Sequence, residues 1–141
     1  FDDVDAGRAE RVRAMAGALA PSFGLGAEAA DRAATQVERA LGLPVIDRAR
    51  RAPRVWRELA LWFPDGAHLV EGIVDLVFEE DGQLVVVDYK SDAIADEQAL
   101  DQAAHHAPQL QLYGRGLAQA AGLPVRERLV LFTALGRTVP V

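Results

Sequence analysis

Glu71-Gly72-Ile73-Val74-Asp75-Leu76-Val77-Phe78, then Glu79-Glu80-Asp81-Gly82, then Gln83-Leu84-Val85-Val86-Val87-Asp88-Tyr89-Lys90 is the stretch that decides the fold. Two β-rich runs flank an acidic, glycine-containing turn, the pattern of an antiparallel hairpin. Side chains alternate faces along a strand, so pairing arithmetic says which charges meet. A two-residue Asp81-Gly82 turn sets Asp75 opposite Asp88, whereas a four-residue turn sets it opposite Val86 and diagonal to Asp88. Either turn leaves Asp75, Asp88 and Lys90 on one face, within roughly 5 to 8 Å of one another.

Upstream, Arg54–Phe63 reads as a third strand joined through a turn at Pro64-Asp65-Gly66, which makes a three-stranded meander. Pairing Phe63 with His68 sets Glu58 opposite Ile73, beside Asp75, with Glu71 on the same face and His68 on the other. Glu58, Glu71, Asp75, Asp88 and Lys90 would then share a face with Val77, Leu84 and Val86. Like charges repel and buried carboxylates resist ionisation, so a divalent cation would resolve the cost. Oxygen-only ligation at a partly open site suits Mg²⁺ or Mn²⁺. A lysine two residues after a ligand carboxylate projects from the same face, where it could orient or deprotonate a water or neutralise a phosphodiester in its transition state. The alternative is an exposed hairpin of mixed charge, against which the Val85-Val86-Val87 run speaks, because it marks a covered strand.

Outward from the meander, residues 5 to 20 and 27 to 41 carry apolar side chains at helical spacing and read as a scaffolding lead-in, with Gly42 and Pro44 as a stop. Residues 98 to 121 return to helical texture, with Pro108 expected at the first turn of a second half and Gly122 past the end. Arg128–Leu135 reads as a closing strand. The expected organisation is one domain over 1–141, with a helical lead-in over 1–50 and a core over 54–135.

Composition bounds the chemistry. The chain has 141 residues, 50% apolar and 26% charged, with no cysteine, which excludes disulfides, thiolate metal sites, cysteine nucleophiles and iron–sulfur clusters. No apolar run is long enough for a membrane helix, and Phe-Asp-Asp-Val-Asp at the start is not a signal peptide, so the expected address is cytoplasmic with no membrane partner. A start at Phe1 suggests a piece of a longer chain. The net charge of −6 argues against a simple basic nucleic-acid binder, yet five arginines crowd residues 48 to 57 while acids concentrate over 71 to 101. Arg51, Arg54 and Arg57 are thus candidates to grip phosphates, and the same cluster reads equally as a solvated linker. The fifteen basic residues include a single lysine, Lys90. Arg presents a planar, permanently charged fork, whereas Lys is a compact point charge that can approach a water or phosphate oxygen, which singles out this position.

With these residues in hand, the ordered series Gly72-x-x-Asp75, Asp88-Tyr89-Lys90 and Gln109-Leu110-Gln111-Leu112-Tyr113 resembles the C-terminal nuclease module of RecB and AddA-type helicase–nucleases, in the PD-(D/E)xK superfamily. The resemblance covers roughly residues 54 to 135. It implies an α/β, restriction-endonuclease-like αβββαβ core, a mixed sheet with an antiparallel meander flanked by helices. It implies Asp75, Asp88 and the Tyr89 carbonyl as metal ligands, with Glu58 as a further candidate, Lys90 as the catalytic lysine, and Gln109 and Tyr113 facing the site and its DNA strand. The implied activity is Mg²⁺-dependent, exonuclease V-like hydrolysis of DNA, a single strand fed from a duplex end by an ATP-driven helicase on the same polypeptide. A further implied partner is a second helicase–nuclease polypeptide. The implied biology is end resection in double-strand break repair and recombination.

One departure stands out. Such modules carry a metal-ligating His on a helix upstream of the meander, and residues 1 to 67 contain no His. Either the chain begins after that residue or the site lacks a ligand, and the second case supports a non-catalytic DNA-binding or scaffolding module of the same fold. His105 and His106 lie next to the Gln109 helix, where they could approach DNA, although adjacent helical histidines are more often surface or packing residues.

Overall fold

The computed structural model describes the backbone of residues 2–141 and the side chains of residues 7–141, so the reading of Phe1 lies outside the described residues. Helices α1 (Asp2–Leu19), α2 (Ala27–Leu41) and α3 (Pro44–Arg51) lead into strands β1 (Val55–Asp65), β2 (His68–Glu80) and β3 (Gln83–Lys90). Helix α4 (Ala99–Ala121) then crosses to β4 (Val125–Phe132), and β5 (Arg137–Pro140) closes the chain. The sheet runs in the order β1-β2-β3-β4-β5, antiparallel except for the parallel β3–β4 pair that α4 connects. This is the mixed, helix-flanked α/β sheet expected from the sequence.

Two layers of side chains hold it. On one face Val45 and Ala49 of α3 meet Leu76, Phe78, Val85, Val87, Leu129 and Leu131. On the other, α4 sends Leu117 onto Leu61, Phe63, Val77, Leu84 and Val86, and sends Ala99, Ala103 and Leu110 onto Val130 and Phe132. Each large aliphatic or aromatic side chain buried in this way contributes roughly 1.5 to 3 kcal/mol, so these faces and not helix propensity set the fold. Small residues let α4 come close. Phe63 lies where a Cβ on Gly116 would stand.

Several expectations need correction. The stop signal at Gly42 and Pro44 hides a further helix: Gly42 ends α2, but Pro44 sits in the first turn of α3, where its missing N–H costs nothing. Pro108 lies inside a continuous α4, not at a break between two halves. The closing strand begins at Val125, and β5 follows it. The first hairpin turns at Gly66-Ala67, so Asp65 pairs with His68 and Phe63 with Val70. The register therefore moves by two residues and Glu58 falls opposite Asp75, not Ile73.

Candidate active site

The second hairpin has the two-residue turn: Glu80 pairs with Gln83 and Leu76 with Val87, so the next position in that register sets Asp75 against Asp88. The ladder gives way there to a side-chain bond, in which the Tyr89 N–H donates to Asp75 Oδ2 at 2.6 Å. Asp75 thus takes over as the partner of β3 where β2 turns away with β1. Asp88 is buried, 9% exposed, and its Oδ2 lies 2.8 Å from Lys90 Nζ. That ion pair lacks hydrogen-bond geometry, so the buried oxygen accepts no hydrogen bond.

Glu58 explains how two strands bring acids together at this point. Its φ of 51° is a backbone state that side chains rarely adopt, and it breaks the alternation of β1. Trp56 lies on the α4 side before it, and Leu59, Leu61 and Phe63 lie on that same side after it. β2 changes phase in step, with Val74 and Val77 both facing α4. Glu71 consequently sits out of phase with Val70 and Gly72, exposed on the other face and away from the cluster, contrary to the expectation from strict alternation.

Electrostatics agree with this geometry. The Asp75 carboxyl is pushed above its ordinary range, first by burial and then by the Asp88 and Glu58 charges, against the pull of the Tyr89 N–H and Lys90. Burial and the Asp75 charge also raise the Tyr89 phenol, which the nearby Arg57 opposes. The backbone of Lys90 is pinned: its carbonyl accepts from the Thr133 N–H at 2.9 Å, and the Thr133 hydroxyl donates to Gln36 Oε1 of α2 at 3.1 Å. The lead-in helix therefore helps to hold the strand that carries the lysine.

On α4, Gln109 Nε2 donates to the Tyr113 hydroxyl at 3.1 Å, and that hydroxyl lies where a Cβ on Gly72 would stand. In the sequence Gly72 is only one letter of a pattern. Its physical reason is that only glycine leaves room for the tyrosine of α4 to cross the strand.

The arginines diverge. Arg54 pairs with Glu79 and lies 5.8 Å over the Trp56 ring, while Arg57 acts on Tyr89 beside the site. Arg51 ends α3 and is exposed. Sequence reasoning misses Gln36 and Thr133, whose separation of 97 residues no local pattern signals.

Among the described residues no group of three or more His, Asp or Glu side chains is arranged to hold a metal by itself. The donors present are two carboxylates, one with a buried oxygen that accepts no hydrogen bond. This set fits a hard cation such as Mg²⁺, which binds through one or two carboxylates and keeps several waters.

The sequence profile of the PD-(D/E)XK nuclease superfamily matches residues 2–138. The chain belongs to this superfamily. PD-(D/E)XK nucleases generally use divalent metal ions, in keeping with the donor set above. Its curated relatives include the A-type subunit of the ATP-dependent helicase/nuclease of Clostridium acetobutylicum, 31% identical over 91 residues, which is 64% of this chain and 7% of that protein. The protein of the same name from Lachnoclostridium phytofermentans is 31% identical over 55% of this chain and 6% of its own length. That of Carboxydothermus hydrogenoformans is 26% identical over 76% and 10%. This PD-(D/E)XK nuclease domain therefore spans a tenth or less of the relatives it matches. No helix of its described residues is long and apolar enough to cross a membrane.

Proposed function

We propose that this domain hydrolyses DNA phosphodiester bonds with a divalent cation held by Asp75, Asp88 and the Tyr89 carbonyl, with Glu58 acting through the field it adds beside Asp75. The observation that carries the reading is the buried Asp88 oxygen that accepts no hydrogen bond, set against a second carboxylate whose ionisation burial already resists. The Lys90 ammonium at 2.8 Å balances its charge without giving it a hydrogen bond, which leaves the oxygen available to a cation. A bound Mg²⁺ or Mn²⁺ would supply Lewis-acid polarisation of a phosphoryl oxygen and a more acidic water.

The protein's own groups do the rest. The Lys90 ammonium beside Asp88 orients the attacking water and offsets the charge that grows on the phosphoryl oxygens. The strand pairing and the Thr133 bond keep its backbone fixed. Gln109 and Tyr113 form the α4 wall that the DNA strand passes, and Arg51, Arg54 and Arg57 hold more distant phosphates. Residues 54–135 make up the nuclease core and 1–50 its lead-in.

Relatives named as helicase/nuclease subunits support a setting in which an ATP-driven helicase on the same polypeptide feeds single strands to this site, beside a second helicase–nuclease polypeptide, in cytoplasmic end resection, double-strand break repair and recombination. A second reading, a non-catalytic DNA-binding module, draws support from the lack of a three-ligand group among the described residues. Cleavage of a labelled single strand in Mg²⁺, compared with EDTA and with Lys90→Ala, separates the two. The nuclease reading expects cutting that both treatments abolish. The binding reading expects no cutting and an unchanged DNA affinity in the variant.

A further inference from the structure

Asp88 pairs with Val130 and Lys90 with Phe132 across the parallel β3–β4 ladder. Val130 and Phe132 are in turn packed beneath Ala103 and Leu110 of α4. Residue 106 lies three positions after Ala103 and four before Leu110, so it shares their side of the helix and is carried to the level of Asp88 and Lys90. His106 is half-buried there, whereas the adjacent His105 is exposed and stands edge-on to it, with ring centroids 5.8 Å apart. Three and seven positions further along the same stripe come Gln109 and Tyr113. The far end of the stripe is anchored where Tyr113 lies on Gly72 of β2. The row His106, Gln109, Tyr113 therefore runs along the wall that faces the two carboxylates.

We infer that His106 is a further substrate-contacting residue, which donates an imidazole N–H to a phosphate oxygen of the strand held at Asp75, Asp88 and Lys90. The inference rests on the nuclease reading of that site and adds to it the donor at the β4 end of the wall. The position of the ring separates this role from plain packing: it lies in the field of Lys90, Asp88, His105 and Asp92, with burial and then Lys90 lowering its basicity. Neutral or charged, the ring keeps at least one N–H, so the contact does not depend on its protonation. A phosphodiester at the carboxylates brings negative charge against a wall on which His106 and Gln109 supply the N–H donors.

The test uses a fluorescein-labelled oligo-dT single strand in Ca²⁺ for equilibrium binding, Mg²⁺ for steady-state cleavage, and Mn²⁺ alone for calorimetry. His106→Ala should weaken oligo-dT binding about tenfold and raise KM to match, as expected when one hydrogen bond to a charged group is lost. His106→Gln, which keeps an N–H donor, should recover most of the affinity, and Mn²⁺ binding should be unchanged in both. Unaltered oligo-dT affinity in a folded His106→Ala would overturn the assignment, as would loss of Mn²⁺ binding, which would make the ring a ligand. Lys90→Ala runs alongside: its cleavage tests the nuclease reading, while the oligo-dT affinities of the His106 variants decide this inference by themselves.

Discussion

The sheet carries two clusters of acidic and basic side chains, and they are built to opposite ends. At one end of β2 and β4, Arg48 of α3 binds Glu80 through Nε at 2.9 Å and Nη2 at 2.6 Å. It binds Glu127 through Nη1 at 3.0 Å and Nη2 at 2.9 Å, with its guanidinium 5.6 Å over the Phe78 ring. The planar fork satisfies both acids at once, Arg126 stands 3.5 Å from each of them as well, and the cluster is closed. At the other end Lys90 reaches only Asp88, Asp75 is bonded by a backbone N–H, and the buried Asp88 oxygen accepts no hydrogen bond. Here the ammonium reaches one carboxylate and leaves the other to a backbone N–H, so this cluster stays open to a cation and a substrate. Which cations a pair of carboxylates meets, and in what geometry, therefore says more about role than the acids themselves.

The largest expected effect comes from the open cluster. Lys90→Ala should lower cleavage by about 10² to 10³-fold, the scale of removing one group that stabilises transition-state charge. Lys90→Arg should fail to restore it, because the fork would close over the carboxylates as Arg48 does. Single-turnover cleavage rates check both. Restoration by arginine would mean that charge alone matters and would dissolve the contrast between the clusters.

Next comes the closed cluster. Arg48→Met removes the hydrogen bonds to Glu80 and Glu127 and leaves them only the looser ion pairs of Arg126 at 3.5 Å, which should cost about 1 to 3 kcal/mol in urea unfolding, with cleavage by the folded fraction unchanged. The wild type also has a pH signature. Arg48 holds the Glu80 carboxyl below its ordinary value of 4.5, so this stabilisation is present above that pH and is lost as pH falls through the lowered folded value. The variant should show a smaller acid-side loss, kept only by the Arg126 and Arg51 charges beside Glu80.

Gly72→Ala should cost about 1 to 3 kcal/mol, as overpacking does, and slow cleavage about tenfold, because the new Cβ displaces Tyr113 and with it Gln109. Melting and cleavage measured on the same preparation check the pair. Smallest is Asp75→Asn. A carboxyl raised in the folded state costs stability above its folded pKa, and that cost fades as pH falls toward its unfolded value of 3.8. The variant should be more stable than the wild type at pH 7 in metal-free buffer, and the gain should vanish near pH 4, which urea unfolding at the two pH values checks.

The open cluster is legible in the sequence where a turn fixes the register. Asp81-Gly82 closes the second hairpin in two residues, so the relation of Asp75 to Asp88 and Lys90 follows from counting. The first hairpin is harder because Pro64 lies within β1, paired with Leu69, where it reads as a turn residue. Glu58 then breaks the alternation on which face arithmetic depends, and this is why counting puts Glu71 on the wrong side. The closed cluster reads as an arginine-rich stretch without partners, because Arg48 meets Glu80 and Glu127 across 32 and 79 residues. Its helix is eight residues long and hides behind the stop signal of the one before. Local chemistry and short turns are written in sequence, whereas long-range pairing and phase changes are decided by packing.

Titration of Mn²⁺ into the protein by calorimetry, beside Asp88→Asn and Arg48→Met, bears most directly on the claim that the open cluster is a cation site. Saturable binding in the wild type, retained in Arg48→Met and abolished in a folded Asp88→Asn, is the predicted result. Binding that survives Asp88→Asn, or no binding in a folded wild-type protein, would contradict it.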